Sequence, residues 1–232
     1  MITGDRKPLD EIRAMLEGTR HVLVLGCGTC VTVCMAGGER EAEELAIALR
    51  LSDREAGVER EVWHANIERQ CDAEFFDKVR DDIARADAVL SLACGCGVQH
   101  IATLFPGKVV YPGLDTTFMG VAEELGVWAE RCLGCGDCVL DRTGGVCPIT
   151  RCSKSLLNGP CGGSSGGKCE VDPEIPCGWQ LIYDRLSAIG QLHRLDEVLP
   201  PKDWSCSHSG GPRRRVREDV RGTGAPEVEV GK

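Results

Sequence analysis

The chain has 232 residues, a formal net charge of −9 and 15 cysteines. That length allows one domain with an appendage, or two small domains with modest cores. The acidic balance and the ten aromatic residues exclude a phosphate-neutralising or base-stacking nucleic-acid surface. No apolar run approaches the roughly 18 residues of a membrane span. The opening MITGDRKPLDEIRAML mixes charges with its apolar residues. It has no signal-like apolar core, so a cytoplasmic protein is expected. In a reducing compartment, cysteines at this density read as ligands of metal or clusters, not as disulfides.

Residues 1–128 alternate helical and strand patterns. Pro8 with Leu9, Ile12 and Leu16 predicts an opening helix. His21-Val-Leu-Val-Leu25 is a short apolar run of the kind buried in a parallel sheet. Ala42, Leu45, Ala46 and Leu49 have helical spacing, Val58 to His64 predicts a second strand, and Phe75, Phe76, Val79 and Ile83 predict another helix. Ala88–Ala93 and Lys108–Tyr111 read as further strands, and Thr116 to Gly126 as a closing helix. This alternation predicts an α/β fold, a small open parallel sheet flanked by helices.

Residues 129–204 follow another grammar. Eight cysteines and nine glycines fall within the 46 residues from Cys132 to Cys177. Such a segment buries too little apolar surface to order itself without a cross-link. Short helices are expected at Cys152–Leu157 and Trp179–Ile189, with Trp179, Leu181, Ile182 and Leu186 as core. The tail, 205–232, is rich in Gly, Arg and Pro and is expected to be disordered, with Cys206 as a free thiol.

The cysteines fall into groups. Gly26-Cys-Gly-Thr-Cys30-Val-Thr-Val-Cys34 directly follows the first strand. In an open α/β sheet, ligands sit at the carboxyl ends of strands. Cys94-Gly-Cys96 follows a later strand and Cys71 follows the second, so both can reach the same edge. Cys27, Cys30, Cys71 and Cys94 are the preferred ligands of one four-thiol site, with Cys34 and Cys96 as alternatives. Cys132-x2-Cys135-x2-Cys138-x8-Cys147-Pro148 is similar to the ferredoxin spacing with its last spacer lengthened. Cys152, Cys161, Cys169 and Cys177 complete eight thiols, enough for two four-ligand sites. Gly162, Gly163, Gly166 and Gly167 leave backbone amides free to approach the inorganic sulfide of a cluster. Two iron–sulfur clusters, or one cluster and one zinc, both satisfy the count. No Ser/His/Asp pattern, carboxylate pair or P-loop is present in the sequence.

The strings CGTCVTVCMAGGE, TGGVCPITRC and LLNGPCGG, with GGKCEV, CGW, IYDRL and PPKDWS, carry a resemblance over about residues 5–205. The chain resembles the small cysteine-rich subunit of two-subunit methylenetetrahydrofolate reductases, and its second region resembles the C-terminal domain family of that enzyme. The resemblance implies a subunit of an oxidoreductase complex that carries two or three [4Fe-4S] clusters. A separate barrel-shaped subunit would bind FMN and the folate, and reduce methylene-tetrahydrofolate to methyl-tetrahydrofolate. A heterodisulfide-reductase-like or ferredoxin-type donor would supply electrons. Cys27, Cys30, Cys94, Cys132, Cys135, Cys138, Cys147, Cys152, Cys161, Cys169 and Cys177 match the family's cysteine motifs, whereas Cys206 and the tail fall outside them. The other reading is a zinc-binding structural subunit of the same complex, without redox function.

Overall fold

A computed structural model describes residues 1–217 and 219. The expectation of disorder for position 218 and for 220–232 lies outside the described residues. The chain divides into two compact units, Met1–Cys132 and Leu133 onward.

In the first unit, β1 (Ile2–Arg6) and α1 (Leu9–Met15) precede the central strand β2 (His21–Cys27). One turn of helix, α2 (Cys30–Val33), and the long α3 (Glu39–Ala56) lead to β3 (Glu61–Ile67). A 3-10 segment, Ala73–Val79, runs into α4 (Arg80–Arg85), then β4 (Ala88–Ser91), α5 (Gly95–Leu104) and β5 (Val109–Pro112). The main sheet has the order β3-β2-β4-β5 and is parallel throughout. Successive β2 side chains serve opposite faces. Val22 and Val24 pack with Ala42, Leu45, Ala46 and Leu49 of α3. Leu23 and Leu25 pack with Phe76, Val79 and Ile83, and with Ile101 of α5. Each such buried aliphatic or aromatic side chain contributes about 1.5–3 kcal/mol. The open parallel sheet flanked by helices is therefore the one that the alternation predicts.

Three expected elements differ. Thr116 to Gly126 is not a helix: β6 (Leu114–Glu124) and β7 (Val127–Cys132) form a hairpin that pairs with β1 in a second sheet, ordered β1-β6-β7 and antiparallel. Gly126, at φ +86°, makes the turn. Gly120 lies so close to β7 that a Cβ there would stand 2.2 Å from the Ala129 carbonyl oxygen. Phe75 to Ile83 is not one continuous α-helix, since the 3-10 segment fills its first half.

The third difference lies in the second unit. The helix expected at Cys152–Leu157 stands earlier, as α6 (Pro148–Arg151), with proline in its first turn. Beyond it Cys152 is extended and Ser155 adopts φ +51°, which stops any helix. α7 (Gly178–Ala188) lies as expected, and Trp179, Ile182 and Leu186 form a small core with Cys177, whereas Leu181, also expected in the core, is only half-buried. Among the described residues, no helix is long and apolar enough to cross a membrane.

One buried ion pair ties the first unit together. Arg60 donates to both carboxylate oxygens of Asp53, at 2.8 and 3.1 Å, and to the carbonyls of Leu16 and Thr19. The two side chains are only 5% and 4% exposed. Asp53→Ala strands the guanidinium in the interior. It should cost about 3–5 kcal/mol in a urea unfolding experiment, and a loss below about 1 kcal/mol would show that the pair carries little of the fold.

Candidate metal centres

The carboxyl ends of β2, β3 and β4 form the first site. Its organising residue is Gln70, fully buried between β3 and Cys71. The Gln70 amide nitrogen donates to the carbonyls of Leu25 (2.8 Å) and Gly26 (3.0 Å), in the last turn of chain before Cys27. Its amide oxygen accepts from the Ser91 hydroxyl at 2.6 Å, and that hydroxyl accepts from Ala93 N–H. One side chain thus pins the ends of β2 and β4 to its own loop. The Gln70 carbonyl lies 3.0 Å from His100 Nδ1 on α5. Gly97, in the first turn of α5, lets the helix rest on Gln70, because a Cβ there would lie 2.8 Å from the Gln70 Cβ.

This frame brings cysteines together. Gly28 N–H donates to the Ile67 carbonyl at 2.9 Å, fixing the Cys27 loop against the end of β3. Cys94 caps the start of α5, and Gly95 N–H donates to Thr116 Oγ1 at 2.8 Å. The Cys71 thiol is pushed up by burial and by the nearby Cys27 and Cys94 thiols. The Cys96 thiol is pushed up by burial and then by Cys94, with Cys71 also contributing. Cys71 therefore lies within electrostatic reach of Cys27 and Cys94, and Cys96 within reach of Cys94 and Cys71. Cys30 opens α2 and lines a cleft of about 400 Å³ with Met1, Met119 and Cys132. Cys34 is buried in the apolar core, its thiol directed at the carbonyls of Val31 (3.5 Å) and Gly4 (3.8 Å).

Cys132 ends β7. Two further neighbourhoods belong to the second unit. Cys135 and Cys138 lie in a loop where the Cys135 thiol donates to the Asp137 carbonyl at 3.5 Å. Lys202 hydrogen-bonds that carbonyl and pairs with the Asp137 carboxylate at 3.3 Å. Burial opposes the charge on Lys202, but its bond to Asp137 and the Cys135 and Cys206 thiols outweigh burial and raise its pKa. Cys147 opens α6 and Cys152 closes it, while Cys177 opens α7 and packs in the same core as Cys152. Gly178 rests on the Arg151 carbonyl, where a Cβ would lie only 2.4 Å away. Cys169 joins this neighbourhood through Ser153, 3.5 Å from its sulfur, and through its N–H bond to Ile175. The Ser153 hydroxyl pulls the Cys169 thiol down, helped by the Val171 amide and by Lys154. The exposed Cys161 sulfur accepts from Gly163 N–H at 3.5 Å.

Gln70 and Lys202 are residues of these neighbourhoods that the sequence does not advertise. A lone glutamine and a lone lysine carry no pattern, and only the closed chain gives them partners. Among the described residues, no three His, Cys, Asp or Glu side chains converge tightly enough to grip one metal ion. The donors that do gather at the first site are all thiols, the donor type of iron–sulfur clusters and of zinc. A cluster spreads its ligands over several irons, so its thiols stand farther apart than those around one ion.

The thiols differ enough for pH to sort them. In metal-free chain titrated upward with iodoacetamide, Cys169 should alkylate at lower pH than Cys71 and Cys96. Alkylation of Cys71 or Cys96 at a lower pH than Cys169 is the reverse order. That reverse order would contradict the arrangement.

Residues 111–205 match the family described as methylene-tetrahydrofolate reductase C terminal. No curated protein and no solved structure matches the chain. The matched segment holds the eight cysteines from Cys132 to Cys177 and stops one residue before Cys206. Over this segment, less than half of the chain, the protein is similar to the methylene-tetrahydrofolate reductase C-terminal family.

Proposed function

We propose that this chain is the electron-transfer subunit of a methylenetetrahydrofolate reductase complex. It relays electrons to the FMN of a barrel-shaped catalytic partner, which reduces methylene-tetrahydrofolate to methyl-tetrahydrofolate. The observation that carries the reading is the gathering of Cys27, Cys71, Cys94 and Cys96 at the carboxyl ends of three parallel strands. The family match over 111–205 supports the choice of complex.

When bound, [4Fe-4S] clusters supply one-electron carriers. The chain's own residues set the terms on which such carriers work. Gln70 holds the loops after β2, β3 and β4 in register, so Cys27, Cys71 and Cys94 need little reorganisation to bind. The apolar layers beneath them limit water access from the sheet side. In the second unit, the Gly163 amide directs a partial positive charge at the Cys161 sulfur. Lys202 places a full charge beside Cys135. Both favour an electron-rich sulfur site and raise its reduction potential. A ferredoxin-type or heterodisulfide-reductase-like protein is the electron donor in this reading.

The chain should be purified without oxygen, and its iron, acid-labile sulfide and zinc quantified in one sample. About eight to twelve irons with matching sulfide per chain are expected, the content of two or three clusters. One or two zinc ions with little iron would overturn the relay and make the chain a structural subunit.

A further inference from the structure

We propose that the second unit carries a binding site for a small organic monocarboxylate with an apolar body. The site is a cavity of about 310 Å³, lined entirely by residues of that unit. Its volume falls at the lower end of the range of about 300–1,000 Å³ that ligand sites occupy. No cysteine lines it, so the proposal stands apart from the electron-relay reading.

Three stretches of chain build the cavity. α7 supplies Trp179 and Tyr183, one helical turn apart. The turn from Leu157 to Pro160 forms a second wall, bent at Gly159, which adopts φ +101°. The stretch from Arg194 to Leu199 forms the third. Two clamps hold these stretches in place without a ligand. The Trp179 indole N–H donates to the Leu156 carbonyl at 2.9 Å. The Asn158 amide nitrogen donates to the Leu199 carbonyl at 2.9 Å, and its oxygen accepts from Leu199 N–H at 2.7 Å. Leu157, Pro160, Trp179, Leu195 and Leu199 make the walls apolar. Val198, at the rim, is 85% exposed.

Charge selects the head of the ligand. Two arginines and one acid, Glu197, line the cavity, a net charge of +1. Arg142 is paired with Glu197 and, at 3.2 Å, with Asp141. Arg194 has no carboxylate partner among the described residues. Its Nε donates to Gln191 Oε1 at 3.0 Å, which leaves the Nη1 and Nη2 donors free. That parallel pair matches the two oxygens of a carboxylate. A monoanion neutralises the cavity, whereas a phosphate dianion would leave an excess of negative charge. The Tyr183 and Ser164 hydroxyls bond no other described residue and can meet a ligand's polar edge. The Trp179 and Tyr183 rings favour a flat apolar body. At roughly 30 Å³ per water the cavity holds the volume of about ten waters, the size of a small molecule.

The test uses the full chain, purified without oxygen, and isothermal titration with matched probes: phenylbutyrate, indolepropionate and the primary amide of each. The acids should bind at least about tenfold more tightly than their amides. Arg194→Gln should erase that preference and leave the circular dichroism spectrum unchanged. Val198→Trp, at an exposed rim position, should obstruct the mouth and weaken both acids without disturbing the core, and it decides the matter if Arg194→Gln loses its fold. A diazirine analogue of phenylbutyrate should label peptides within 142–199. Equal affinity for acids and amides would make the cavity a plain apolar cleft and overturn the proposal. So would acids that fail to bind at millimolar concentration, a preference that survives in folded Arg194→Gln, full affinity in Val198→Trp, or labelling confined to other peptides. Metal content enters none of these outcomes, so the relay reading stands or falls separately.

Discussion

The first unit's site depends on one buried amide. Gln70 spends every polar atom of its side chain on the ends of two paired strands: the carbonyls before Cys27 on one side and Ser91 on the other. Buried without these bonds, the amide would cost on the order of 2–7 kcal/mol, so the loops and the glutamine hold one another in place. The constraint propagates. Gly97 is small because α5 must rest on Gln70, and Cys94 and Cys96 occupy the turn that this contact positions. Cys71 is the next residue in the chain. Three cysteine-bearing loops from three strands thus acquire one geometry from one side chain, which is what a site built before its metal arrives requires.

The second unit solves the opposite problem. Its apolar core is four buried residues on and beside α7, far less than the first unit's two layers. Local devices take up the rest: Trp179 bonded to the Leu156 carbonyl, the Asn158 side chain bonded to the Leu199 backbone from both its atoms, and ion pairs such as Arg142 with Glu197 and Lys154 with Glu170. Exposed pairs of this kind contribute little each. Cross-linking through thiolates would supply the missing cohesion, as it does in small metal-dependent folds. In that reading, ligation and folding would be a single process in this half of the chain.

Much of this was legible in the residues, and the failures have a common cause. The apolar run His21–Leu25 announces a strand buried on both faces, and helical spacing at Ala42 to Leu49 announces α3, because both signals are local. β6 is misread because Phe118, Ala122 and Leu125 also fit helical spacing. Its true partner, β1, begins more than one hundred residues earlier, with Ile2 opposite Met119. Convergence of cysteines at strand ends follows from topology, so the gathering of Cys27, Cys71 and Cys94 could be anticipated. The place of Cys30 could not. Its spacing from Cys27 suggests a shared site, and the single turn of α2 also lets it line a cleft with Cys132, a strand end that comes from far along the chain. Gln70 and Lys202 leave no periodic trace, and their partners exist only once the chain has closed.

The central claim is that electrons pass through this chain. Its most direct test is a rapid-mixing experiment without oxygen, in which the chemically reduced chain meets the oxidised FMN-loaded partner subunit. The account predicts that the visible absorbance of the chain recovers at the same rate as the flavin bleaches, with electrons lost equal to electrons gained. A chain that takes up no electrons from a strong one-electron reductant, or a flavin left oxidised in its presence, would contradict it.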